Sequence, residues 1–179
     1  LYFKTLSGIH LKTLSGHLTF SDEKSSIENL NLKLNNLAIQ GYLIARYNHI
    51  NQFFNSPEEV TINTNLPQFR LAVSDLFKVQ PDLKNNPYLK TLSQKQLSGS
   101  LDASGTLASI DVSNIELQWG LTTQISANGS LQNISDPELL SYDIPDYAIA
   151  TSATDVRPFI NEKELGVKLP ENIELSGSL

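Results

Sequence analysis

Residues 97–107 alternate without a break. Leu97, Gly99, Leu101, Ala103, Gly105 and Leu107 take one phase of a two-residue period, and Ser98, Ser100, Asp102, Ser104 and Thr106 take the other. A strand built from them has one apolar and one wet face. The glycines share the phase of the leucines, unlike turn glycines, and predict shallow places on the apolar face. Gly-x-Leu in this phase recurs at Gly16, Gly41, Gly129 and Gly177. A repeating strand is therefore the predicted unit, in a scaffold whose working part is one long apolar surface.

Taken in order, Leu14, Gly16, Leu18 and Phe20 predict a strand, followed by a polar turn over 21–26. Ile27, Leu30, Leu32 and Leu34 form the next, slipping one register near Asn29 as a bulge allows. Asn35-Asn36 predicts a tight hairpin, because Asn tolerates positive φ. The return strand carries Leu37, Ile39, Gly41, Leu43, Ala45 and Tyr47. Between His49 and Glu59 the spacing turns helical. Strands are expected over 60–65 and again after Pro67 at Phe69, Leu71 and Val73. Ser74-Asp75 and Thr154-Asp155 are read as helix starts with capping acids, and Asn86 as the cap of a helix opening at Pro87. Later strands carry Ile115, Leu117 and Trp119, ending at Gly120, then Ile125, Ala127, Gly129 and Leu131. Residues 135–138 read as one more helix start, ahead of a strand after Pro145 with Tyr147, Ile149 and Thr151. The last strand carries Ile173, Leu175, Gly177 and Leu179.

A longer repeat overlies these elements. Leu66-Pro67-Gln68-Phe69 resembles Ile144-Pro145-Asp146-Tyr147, and each run leads through a helical stretch to Leu-Ser-Gly-Ser-Leu, at 97–101 and 175–179. The predicted organisation is an N-terminal β repeat over 1–65, with residues 1–8 read as tag or linker, a strand-helix-strand repeat over 66–143, and the truncated start of a third over 144–179. Such units stack into elongated bodies. With no Met, even at position 1, and a terminus cut through a strand figure, the chain reads as an internal fragment.

Composition narrows the chemistry. A net charge of −6 without a Lys/Arg cluster argues against nucleic acid, where counterion release needs concentrated positive charge. The chain has no cysteine, no apolar run long enough to span a bilayer and no signal sequence. His10, His17 and His49 lack metal-ligand spacing and read as surface residues, so no metal or cofactor is expected. Asn128-Gly129-Ser130 and Asn133-Ile134-Ser135 are formal glycosylation acceptors of a kind that chance supplies. Trp119 reads as structural. No catalytic residues stand out, and the chain is not expected to be an enzyme.

Leu-Ser-Gly-Ser-Leu followed by Gly-Thr-Leu, the preceding Asp75-Leu76-Phe77 or Asp155-Val156-Arg157-Pro158-Phe159, and the amphipathic strands resemble the translocation and assembly module TamB family of the AsmA-like superfamily in Gram-negative bacteria. The likeness covers most of 14–179, and Asn86-Pro87-Tyr88-Leu89-Lys90 before the motif is most similar to Bacteroidetes forms. It implies a mainly β fold: an elongated, curved, repetitive sheet with an apolar concave face, a β-groove, carrying short helical inserts. It implies a periplasmic protein anchored in the inner membrane, which passes phospholipid toward the outer membrane or assembles surface proteins with an outer-membrane barrel partner. Expected groove-lining residues are Ile39, Leu43, Leu101, Leu107, Leu117, Ile125, Leu131, Ile173 and Leu175, with groove glycines Gly41, Gly99, Gly105, Gly129 and Gly177. Periodicity alone leaves two other readings open: these leucines as a closed core, and the chain as a β-rich adhesin or interaction module. Open sheet edges also predict a dimer through terminal strands.

Overall fold

The computed structural model describes residues 3–4, 10–106, 108–134 and 138–179. They form one open antiparallel sheet in which each strand pairs with its sequence neighbours. The strands are β1 (Phe3–Lys4), β2 (His10–Phe20), β3 (Lys24–Leu34), β4 (Leu37–Arg46), β5 (Thr61–Ala72), β6 (Gln96–Thr106), β7 (Ser109–Trp119), β8 (Thr123–Gln132), β9 (Ser141–Ser152) and β10 (Asn172–Gly177). The expected mainly β architecture with short helical inserts is the one the chain adopts.

A meander places its connections alternately at the two strand ends. Helix α1 (Gln52–Asn55) and a 3-10 turn (Pro57–Glu59) join β4 to β5 at one end. At the other end α2 (Val73–Val79), a 3-10 turn (Pro81–Asn85) and α3 (Pro87–Leu92) join β5 to β6, and α4 (Ala153–Val156) and α5 (Glu162–Leu165) join β9 to β10. The tight turns of β3–β4 and β7–β8 share that second end.

Local chemistry accounts for the boundaries. Asn35 holds φ at 51° in the β3–β4 turn. The Asn86 side chain caps α3, accepting from the N–H groups of Tyr88 (2.9 Å) and Leu89 (3.1 Å). The other helix starts differ from expectation. Helices α2 and α4 begin at Val73 and Ala153, so Asp75 and Asp155 lie inside the first turn and are not caps. Ser152 caps α4 by accepting from the Asp155 N–H at 3.4 Å. The acids still sit where the helix dipole favours them, and their carboxylates are free to reach elsewhere. The helix start read over 135–138 falls largely outside the described residues.

Each odd strand from β3 to β9 carries one residue more than its neighbours: between Ile27 and Leu30, Leu66 and Phe69, Val112 and Ile115, and Asp143 and Asp146. The slip expected near Asn29 is the first of these, with Asn29 at φ 52°. The second makes β5 a single strand, not two pieces flanking a proline. Pro67 pairs with neither neighbour, so its missing N–H breaks no ladder bond. Pro145 sits likewise in β9, which therefore starts at Ser141 and not after the proline. Each bulge bends its strand and adds twist, and a three-residue step returns the apolar phase to the face it left.

Glycine lets the bulged strands approach. Gly41 has φ +136°, and a Cβ there would lie 2.0 Å from the Asn65 carbonyl oxygen. At Gly99 a Cβ would lie 1.8 Å from the Glu116 carbonyl oxygen. These glycines serve backbone contact across the sheet as well as a lower floor. Gly99→Ala is expected to cost about 2 kcal/mol in urea denaturation, while Ser98→Ala on the wet face changes stability by less than about 0.5 kcal/mol. Equal midpoints for Gly99→Ala and the parent chain would refute the close approach.

Candidate functional site

Register builds the surface. Partners across antiparallel strands share a face, and the sequence Leu14, Leu32, Ile39, Phe69, Gly99, Leu117, Ile125, Ile149, Leu175 is one unbroken chain of such partners from β2 to β10. Every member is apolar or glycine. The adjacent row on the other face runs Thr13, Lys33, Ala38, Arg70, Ser98, Gln118, Gln124, Ala150, Glu174. At about 4.8 Å per strand the apolar row extends roughly 38 Å, more than twice the roughly 15 Å of one bilayer leaflet's hydrocarbon. Its interior members are half-buried, and Leu14 and Leu175 at its ends are 52% and 54% exposed. No second sheet covers the row among the described residues.

The helical connections stand at the rims of this face. At one rim the Tyr47 hydroxyl donates to the Ser21 carbonyl (2.9 Å) and meets Ser25 Oγ (2.7 Å), while Phe53 packs edge-on to its ring at 5.0 Å. Tyr47, Ala45 and Val60 form a small buried cluster there. At the other rim Trp119, in register with Leu97 and Thr123, donates its indole N–H to the Leu92 carbonyl (2.9 Å). Phe159 meets the Trp119 ring edge-on at 5.6 Å, Tyr88 stacks on Phe159 at 6.5 Å, and the Lys95 ammonium lies 4.6 Å from the indole. Buried apolar side chains thus concentrate at the two rims, with Ala103 the exception among the described residues. The floor between them stays open.

Asp155, 3% exposed, ties the second rim together. Its carboxylate accepts from Lys95 Nζ and from the hydroxyls of Thr122 (2.6 Å) and Thr123 (2.7 Å), and Thr123 also meets Thr151 at 2.7 Å. Burial pushes this carboxyl up, but the Lys95, Thr122 and Thr123 hydrogen bonds and the ammonium charge outweigh it and hold the group below its ordinary 3.8. Asp75 in α2 works similarly: it accepts from the Asn36 N–H of the β3–β4 turn (3.1 Å) and from Lys78 (2.6 Å). The β5–β6 and β9–β10 connections thus each use a first-turn acid to hold the tight turn two strands earlier.

The expected lining residues fall on one face. Ile39, Leu117, Ile125 and Leu175 join the row above. Leu43 lies opposite Ile27 and Thr64, Leu101 between Leu66 and Ile115, Leu131 between Ile110 and Tyr142, and Ile173 opposite Thr151. Gly99, Gly105, Gly129 and Gly177 share their rows, and Gly41, opposite Leu30, lies in phase with Ile39 and Leu43 on the same strand. Leu107 lies outside the described residues. Leu14, Leu32, Phe69 and Ile149 belong to the row and are not among the lining residues expected, although the alternation along their strands carries the signal. Among the described residues no three His, Cys, Asp or Glu side chains converge on a metal position, and no helix is long and apolar enough to cross a membrane. The chain matches no protein-family profile, no curated protein sequence and no solved structure.

Asp155→Asn leaves Lys95 without its counter-charge, and is expected to lower stability at pH 7 by about 2 kcal/mol and to shift Trp119 emission to the red. Because the folded carboxyl titrates below 3.8, its contribution is complete above that pH and is lost as pH falls through the folded value. The gap between variant and parent in urea midpoint should therefore close under strong acid and stay constant from pH 5 to 8.

Proposed function

We propose that this chain is part of a groove that holds acyl chains, in the manner its resemblance to TamB and AsmA-like proteins implies: a periplasmic conduit for phospholipid moving toward the outer membrane, or a scaffold for assembling outer-membrane proteins with a barrel partner. The observation that carries the reading is the apolar row from Leu14 to Leu175, which crosses nine strands, lies between walled rims and has no covering layer among the described residues. Each methylene moved from water onto such a surface gains up to about 0.8 kcal/mol. The period of two supplies the surface, and the polar row behind it keeps the outside hydrated. The rims confine a chain sideways, so the long axis of the row is the direction left open to an extended acyl chain.

Photocrosslinking in cells tests this directly. A benzophenone side chain replacing Leu117 or Ile125 should capture phospholipid, and one replacing Glu116 or Ser126 should not. Adducts at neither pair, with crosslinks only inside the chain from Leu117 and Ile125, would mean that the apolar face is a closed core and that lipid is not its cargo.

A further inference from the structure

The Lys95 ammonium sits in a socket built by other elements. Asp155, buried and steadied by the Thr122 and Thr123 hydroxyls, accepts from it, and the Trp119 ring centre lies 4.6 Å from the nitrogen. A carboxylate beside an aromatic ring recognises a cation that carries N–H groups. Lys95 reaches this socket from outside: it follows α3, and its side chain stays 35% exposed where that of Asp155 is 3%. The socket also borders the apolar row. Trp119 shares a face with Leu117, two positions or about 7 Å away along β7, and Thr123 shares it with Ile125 on β8.

We propose that the Lys95–Asp155 pair opens to take the headgroup of an ethanolamine-type phospholipid whose chains lie on the apolar row, its primary ammonium replacing Lys95 at Asp155 and its phosphate pairing with the released Lys95. This rests on the acyl-chain reading above and names the lipid class. The exchange keeps every charge paired, because the zwitterion offers one cation to Asp155 and one anion to Lys95. A glycerol headgroup has no cation, so the buried carboxylate would lose its counter-charge, which is the costly outcome for a buried ion. A choline headgroup brings a cation without an N–H, and Asp155 would lose a hydrogen bond. Lys95 is tethered beside Asp155, so a small free amine competes poorly with it. Apolar contact of the acyl chains along the row supplies the difference.

Trp119 is the only tryptophan of the 179-residue chain, so its emission reports on the socket. Titrated with dihexanoyl phospholipids below their micelle concentrations, the chain should bind the ethanolamine form at least about tenfold more tightly than the glycerol or choline form. Asp155→Asn should bring the three affinities together. A second measurement needs no lipid: Lys95→Ala should lower the urea midpoint, and ethylammonium should restore part of the loss where tetramethylammonium does not. Equal affinity for the three lipids, a preference that survives Asp155→Asn, or no greater rescue by ethylammonium than by tetramethylammonium would overturn the headgroup site and leave the groove standing. No binding of any of the three lipids would overturn the groove, and the headgroup site with it.

Discussion

A single-layer sheet cannot bury its apolar face, and most of this protein follows from that constraint. In two-layer β proteins the inner faces of two sheets interdigitate and exclude water. Here the described strands form one sheet, so the side chains of the long apolar row stay half-buried. Buried apolar residues collect instead where connections fold back, at Tyr47 and Val60 on one rim and at Val73, Phe77, Trp119 and Ala153 on the other. Cohesion in the middle rests on backbone ladders and cross-strand pairs, while the rims supply the packing.

Keeping one apolar row on one face over nine strands demands close phase control, because a one-residue slip turns the whole set to the other face. The bulges on β3, β5, β7 and β9 meet that demand by absorbing one extra residue each. Gly41 and Gly99 supply the backbone clearance across which neighbouring carbonyls approach. Bulge and glycine therefore do one job between them: they bend the sheet without breaking its rows.

The rim connections repeat the same device. Asp75 reaches the β3–β4 turn and Asp155 the β7–β8 turn, each from the first turn of a short helix. The two sites differ in surroundings. Asp155 is buried and holds Lys95 and two threonines, with Lys95 itself lying over the Trp119 ring, whereas Asp75 faces a backbone N–H and its own helix's Lys78. The walls of the groove are thus anchored turn by turn along one side.

Local chemistry was legible from residue order. The alternation at 97–107, the slip at Asn29, the positive φ at Asn35 and the cap at Asn86 each depend on side chains within a few positions of one another, so composition and spacing determined them, together with the mainly β class. The proline bulges were not legible, because proline ends most strands and only the paired neighbours of Pro67 and Pro145 show that the ladder resumes beyond them. The Lys95–Asp155 contact spans 60 residues. It exists only because four strands register correctly between its ends, and tertiary structure alone decided it, as it decided that the apolar phase of each strand would align into one continuous row with walls at its rims.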